Sequence, residues 1–496
     1  MGFKADTSFL KFLTMGARGV HHTMAQLTDA GFEPIELERY CGSNKIWTTK
    51  VKRLRLADVL CVRTGLRVEV KAKSDLKIKM SDAPTNPDRV WDAGLRNNDL
   101  IAFVACRESD DGPVPFDRPV FFNVEELRKT VGSSKLGPPK SASEGAERDR
   151  TWPATIPSRD GKVIQVTSEK IVTQMSATSE QPARNQSFPL KGKTAYVRSG
   201  DTFTAGSCFL SGTPASTANL ANYLSQSYDP LAALKSTNAV DRYAGAKALR
   251  FREDKASSVR SAIETLIGKE TELRVKLEAA ASAAAFGSSL GQDTIAEFVW
   301  KEQADKELAY LRMEAVLILA ELKTEKFSGV ILKEIATHKA FAGNEVRQAA
   351  VWGLGKTGLK RYEELLPFIA DSDEDVVLHA IAALGPDTPH AVIKRLVVTL
   401  AQADKVVAPA ASQALREIGT DAVLKTLVDA YEQDPAARNW ILATLGRMPP
   451  DLVRSKLQGL ALMDRLEPML LFAPGANWLS SEDMNINLSF LLKQNI

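Results

Sequence analysis

The sequence predicts a multidomain chain. An α/β domain comes first, then a small β-rich middle segment, then an all-α superhelical solenoid that fills the C-terminal half. Three observations predict it. Apolar and charged residues alternate through 66–73, as a strand with one face on a core requires. The stretch 133–150 is rich in Gly, Pro, Ser and charge and has the composition of a linker. From Tyr228 onward a helical pattern recurs at steps of 30 to 38 residues.

The chain has 496 residues, 44% hydrophobic and 25% charged, which is ordinary for globular domains with real cores. No apolar run approaches the length of a membrane span, and residues 1–6 lack the pattern of a secretory signal, so no membrane is expected as a partner. Cys41, Cys61, Cys106 and Cys208 are scattered, with no CxxC or Cys/His cluster, so structural zinc is not expected. Reduced thiols in a cytoplasmic protein are the simplest reading. The net charge of +3 hides an asymmetry. Lys45 to Lys79 holds 11 Lys/Arg against 3 acids, whereas Tyr228 to Pro450 holds 28 against 31. A polyanion is the natural partner of the first segment.

Taken in order, residues 8–30 read as a helix, carried by Phe9, Leu10, Leu13, Val20, Met24 and Leu27 and stopped at Gly31. Phe32 to Arg39 reads as a strand, and Lys45 to Lys50 as a second extended stretch. Leu54 to Val62 and Leu66 to Lys73 form a hairpin around Arg63-Thr64-Gly65. A short helix is predicted near Asp88 to Arg96, then the apolar strand Leu100 to Cys106, the strand Val120 to Phe122 and a helix over Val124 to Thr130. The predicted domains are 1–132 (α/β), 133–150 (linker), 151–222 (β-rich, with strands at Lys162 to Val166, Thr194 to Val197 and Cys208 to Leu210), 223–450 (solenoid) and 451–496 (a C-terminal cap).

The repeat is anchored at positions 242, 274, 312, 347, 377, 408 and 438, five of which are arginine. Each anchor opens a second helix, as in Val346-Arg347-Gln348-Ala349-Ala350 running to Leu354-Gly355. Asp371 or Asp373, Asp404 and Asp434 are candidate caps, and Pro435 suits a first helical position. This pattern resembles the HEAT repeat in its short form of about thirty residues. The resemblance implies helix pairs that stack into a solenoid, because one pair cannot bury its apolar face alone. It also implies a scaffold for a protein partner or for self-association.

The chemistry points to the hairpin. Glu69 and Lys71 alternate with Val68, Val70 and Ala72, so both project from one face of a strand, beside Arg67 and Lys73. Asp58 lies on the partner strand, giving the spacing D-x10-E-x-K. These residues, with a helix before them and a helix and the strand Leu100 to Cys106 after them, resemble the PD-(D/E)XK nuclease superfamily. Ala57 stands where proline is often found. The resemblance covers about residues 8–132 and implies a restriction-endonuclease-like α/β fold. It implies that Asp58 and Glu69 hold Mg²⁺ (or Mn²⁺), that Lys71 orients or activates water, and that phosphodiester hydrolysis leaves a 5′-phosphate.

Lys45, Lys50, Lys52, Arg53, Arg55 and Lys73 are the candidate phosphate contacts, and Trp47 a candidate stacking residue. Glu36 and Glu38 are secondary candidates for the metal. Ser74, Lys77 and Lys79 line the groove or are solvated surface. His21 and His22 read as surface or core, and Trp91, Asp92 and Asp99 as structural. The function these readings give is a metal-dependent endonuclease, with DNA favoured over RNA. Architecture alone suggests a part in defence against foreign DNA. The alternative is a catalytically inactive nucleic-acid-binding adaptor with a protein-interaction scaffold.

Overall fold

The computed structural model describes residues 7–39, 54–83, 90–109, 112–130, 132–139, 146–252, 257–301, 306–322, 325–356, 362–402 and 407–472. The chain divides into two compact units. One comprises Met15–Cys41 and Arg53–Leu266, the other Met1–Thr14, Gly42–Lys52 and Ile267–Ile496. The first is a mixed-sheet region and the second is helical.

The sheet region is built on α1 (Thr7–Asp29), β1 (Pro34–Glu36), β2 (Val59–Cys61), β3 (Arg67–Lys73), β4 (Lys79–Asp82), β5 (Leu100–Arg107), β6 (Val114–Pro115), β7 (Val120–Asn123) and α2 (Val124–Lys129). The main sheet runs β1-β2-β3-β5-β6, with β7 also on β5. β1, β2 and β3 are antiparallel neighbours, and β3 and β5 are parallel. β5 is buried on both faces over Leu100–Cys106, which explains its unbroken apolar run.

Period-two alternation sorts the sheet into two cores. Val59, Cys61, Val68, Val70, Leu100, Ala102 and Val104 face α1, where they meet Met15, Val20 and Leu27. Ile101, Phe103, Ala105 and Phe122 face the other way, onto Leu76, Ile78, Met80 and Trp152. Helix α1 crosses the sheet closely at Gly19, where a Cβ would lie 2.7 Å from that of Ala72. The helix ends at Gly31 (φ 92°), as predicted.

Some elements differ from the sequence reading. The strand 32–39 shortens to Pro34–Glu36, and the hairpin's first arm to Val59–Cys61. The helix near 88–96 is absent over 90–96, which forms turns. Gly94 has φ 75°, and a Cβ there would collide with the Arg55 carbonyl oxygen at 1.8 Å. The expected linker is strand where described. β8 (Ser133–Pro139) and β9 (Ala146–Thr151) form a three-stranded sheet in the order β4-β9-β8. It is locked by the buried Asp82, whose oxygens accept from Arg148 Nε and Nη2, both at 2.7 Å, and from Arg150 Nε at 2.9 Å.

The middle segment is β-rich, as expected. β10 (Ala154–Thr155), β11 (Gly161–Val166), β12 (Lys170–Met175), β13 (Arg184–Pro189), β14 (Thr194–Ala195), β15 (Thr202–Phe203) and β16 (Ser211–Gly212) form two small sheets, β10-β16-β14 and β13-β12-β11-β15. Residues 208–210 lie just before β16 rather than in a strand. The unit continues through α3 (Pro230–Ala233) and α4 (Ala239–Arg250) into α5 (Ser257–Lys269).

The helical unit comprises α6 (Leu273–Ala285), α7 (Ser289–Trp300), α8 (Lys306–Leu322), α9 (Glu325–Thr337), α10 (Glu345–Lys356), α11 (Tyr362–Leu365), α12 (Glu374–Ala382), α13 (His390–Gln402), α14 (Val407–Ile418), α15 (Asp421–Gln433), α16 (Arg438–Leu445), α17 (Pro450–Leu457) and α18 (Met463–Phe472). Alternate helices pack in series, α6 on α8, α8 on α10, and so on through α12, α14 and α16 to α18. The seven repeat anchors fall, one each, on α4, α6, α8, α10, α12, α14 and α16.

Three of the five anchor arginines cap the helix before them. Arg312 Nε donates to Val299 O at 2.8 Å, Arg347 Nε to Ala336 O at 2.8 Å and Arg438 Nε to Tyr431 O at 2.9 Å. A cation at a helix C-terminus satisfies orphan carbonyls and the macrodipole together. Of the expected aspartate caps, Asp373 accepts from Asp375 N at the start of α12. Asp371 instead pairs with Arg347. Asp434 closes a turn before α16, which starts at Arg438, so Pro435 sits in that turn and not at the first helical position. Asp404 lies outside the described residues.

Candidate metal and nucleic-acid site

The β2–β3 hairpin turns at Gly65 (φ 69°), where a Cβ would meet the Tyr228 ring at 2.7 Å. The register Val59↔Val68 and Leu60↔Arg67 then dictates the faces. Val68, Val70 and Ala72 turn toward α1, so Arg67, Glu69, Lys71 and Lys73 turn to the opposite side. Asp58 precedes Val59, which faces α1, so its side chain falls on the face of Glu69 and Lys71. Asp58 Oδ2 accepts the Val70 N–H at 2.7 Å, fixing the carboxylate against the neighbouring strand.

Lys71 Nζ donates to Glu69 Oε1 at 2.6 Å, both side chains being partly exposed. Burial pulls the Lys71 ammonium down, but the charges of Glu69, Asp58 and Glu38 and the hydrogen bond to Glu69 outweigh it, and its pKa lies above the ordinary value. Lys71 is therefore a held cation between carboxylates. Lys73 behaves oppositely. Burial, then the charges of Lys71 and Lys79, lower it to about 8, with Asp149 opposing.

The structure brings together Asp58, Glu69 and Lys71, with Lys73 continuing the same strand face. Glu38, buried near the start of the segment, contributes to the field at Lys71. Glu36 does not join them. It pairs in register with Val59, faces α1, and lies 3.7 Å from His21 Nε2. His22 Nε2 is 2.8 Å from Asp117 O. Asp92 pairs with Arg128 and Asp99 with Arg96, while Trp91 stacks edge-on against Trp152, so these three are structural. Arg55 is exposed on the segment leading into Asp58. Lys77 pairs with Asp75, and Lys79 with Asp149 at 2.9 Å. Lys45, Trp47, Lys50, Lys52 and Arg53 lie outside the described residues.

Two residues that act on this hairpin were not legible in the sequence. Asp241 of α4 accepts from Arg67 Nη2 at 2.5 Å, and Lys247 of α4 donates to Leu37 O at 3.4 Å. They lie 174 and 210 residues from their partners, and no local pattern marks them.

Among the described residues no group of three or more His, Cys, Asp or Glu could hold a metal ion. Two carboxylates on one face remain, a donor set suited to a hard cation that keeps waters and leans on substrate phosphate. Among the described residues no helix is long and apolar enough to cross a membrane. No protein-family model matches this sequence, and no curated protein matches it.

Proposed function

We propose that this chain is a Mg²⁺- or Mn²⁺-dependent nuclease of the PD-(D/E)XK type, hydrolysing phosphodiester bonds in DNA. The observation that carries the reading is the convergence of Asp58 and Glu69, from adjacent strands, on the face that also holds Lys71. Asp58 and Glu69 are the residues that hold the cation. A bound divalent ion supplies Lewis acidity beside the scissile phosphate. Lys71, kept protonated by its acidic neighbours, offsets the charge that develops on the phosphate oxygens and orients the attacking water. Lys73, Arg55 and the basic stretch of Lys45, Lys50, Lys52 and Arg53 contact backbone phosphates without reading bases. The order β1-β2-β3-β5, with an antiparallel hairpin beside a parallel apolar strand, supports the fold assignment. The serial packing of alternate helices supports a HEAT-type scaffold that docks a protein partner or a second copy. The reading includes a cytoplasmic location and, from architecture alone, a part in defence against foreign DNA.

The test is incubation of the purified protein with supercoiled plasmid and with structured RNA, in Mg²⁺ and in Mn²⁺, beside Asp58→Asn and Lys71→Met. Cleavage of plasmid by the wild type alone, with binding preserved in both variants, supports the reading. Binding without cleavage in either metal overturns it in favour of a nucleic-acid-binding adaptor. One observation favours that second reading: Glu69 and Lys71 already satisfy each other at 2.6 Å.

A further inference from the structure

The motif hairpin is held from outside by a helix that sequence assigns to the first repeat. Arg67 shares a strand face with Glu69 and Lys71, and its side chain is 2% exposed. Its partner Asp241 sits in the first turn of α4 and is itself oriented by Ser236 Oγ at 3.1 Å. One face of the hairpin is thus tied to α4 by an ion pair whose arginine is buried and whose aspartate is partly exposed. A second tie comes from Lys247, two turns further along α4 and 1% exposed. Its Nζ reaches the Leu37 carbonyl, and the Leu37 N–H donates to Asp58 O at 2.8 Å. The same segment supports the turn, because Tyr228 N donates to Arg63 O at 3.0 Å and the Tyr228 ring fills the space beside Gly65.

We propose that α4 is a positioning element of the site: through Asp241 it holds the strand carrying Glu69 and Lys71, and through Lys247 the segment carrying Asp58. This rests on the nuclease reading only for what the held residues do. The physical argument is one of direction. Apolar packing has little directional preference, whereas an ion pair or hydrogen bond shielded from water holds a defined geometry. The Arg67–Asp241 ion pair and the Lys247–Leu37 hydrogen bond, one to each carboxylate-bearing segment, together set the separation of Asp58 and Glu69. Asp241 and Lys247 touch neither metal nor phosphate in this scheme and are positioning residues.

The experiment uses the full chain with Asp241→Ala, Asp241→Asn and Lys247→Met. Backbone hydrogen exchange is followed at Val68–Ala72, with Gly161–Met175 as an internal reference. Exchange at Val68–Ala72 should quicken by about tenfold or more in Asp241→Ala and Lys247→Met, with the reference unchanged. Asp241→Asn keeps an acceptor and should show a smaller effect. The Mg²⁺ concentration for half-maximal plasmid cleavage should rise in the same order, with DNA binding in EDTA unaltered. Unchanged exchange at Val68–Ala72, or equal acceleration in the reference, overturns the proposal. If Asp241→Ala fails to fold, Lys247→Met carries the same test. A wild type that never cleaves, together with local acceleration in the variants, upholds the positioning by α4 and overturns the nuclease reading instead.

Discussion

Asp58 Oδ2 accepts the Val70 backbone N–H at 2.7 Å, so one carboxylate caps the strand that carries the other. The bond falls just past the last paired residues of the hairpin, Val59 and Val68, where the strands would otherwise part. On the proposed nuclease reading Asp58 has two duties, the structural one toward Val70 and a chemical one toward a cation, and the two can be separated.

Asp58→Ala and Asp58→Asn should abolish plasmid cleavage alike, because a neutral side chain no longer binds a divalent ion well. Their stabilities should differ. Alanine leaves the N–H of the buried Val70 without its acceptor, a loss of about 1–3 kcal/mol. Asparagine keeps an oxygen there and should unfold near the wild-type urea midpoint. Equal midpoints for the two variants would show that the bond to Val70 contributes nothing.

Lys73 should titrate apart from the other lysines. Burial and the charges of Lys71 and Lys79 lower it to about 8 in the folded chain. The charged form is disfavoured by folding, so the penalty is fully present below pH 8 and fades as pH rises toward the unfolded value of about 10.4. Lys73→Met should therefore stabilise the protein at pH 7 and have no effect near pH 11. A lysine resonance midpoint near 10.4 in methylated protein would refute this.

His379 sets an acid limit on the helical unit. Burial lowers its pKa to about 4, against the hydrogen bond to the Asp375 carbonyl. Folding depresses this group, so the unfolded chain takes up the proton first. Stability is intact above about pH 6.5 and falls as pH drops toward 4, by up to about 3 kcal/mol. His379→Gln should flatten that part of a stability-against-pH curve, and an unchanged slope would count against the burial argument.

Arg347 joins three elements. It donates to Ala336 O at the end of α9, pairs with Asp371 at 2.5 Å and lies 5.9 Å from the Phe368 ring centroid. Arg347→Ala should lower the unfolding free energy by about 1–3 kcal/mol, and Arg347→Lys should recover only part, because one ammonium cannot reach both partners in a fork. Chemical denaturation followed by far-ultraviolet circular dichroism measures both.

Features that depend on local period could be read from the residues alone. Alternation at 2.0 placed Glu69, Lys71 and Lys73 on one face of β3 and Val68 and Val70 on the other. The recurring pattern placed the seven anchors on alternate helices, and three of its five arginines, Arg312, Arg347 and Arg438, answer to carbonyls seven to thirteen residues upstream. Backbone geometry enforces both patterns within a dozen residues, so they are written in the chain. Pairing between residues far apart in the chain emerged from the folded molecule. Residues 133–150 read as linker, yet β8 and β9 pair and β9 joins β4, because strand hydrogen bonds come from backbone and Asp82 waited sixty-odd residues upstream for Arg148 and Arg150. The predicted helix near 88–96 gave way to turns where Gly94 meets the Arg55 carbonyl. The hold of α4 on the hairpin spans 174 residues, and such contacts are fixed by packing of the whole unit, which no local pattern of residues encodes.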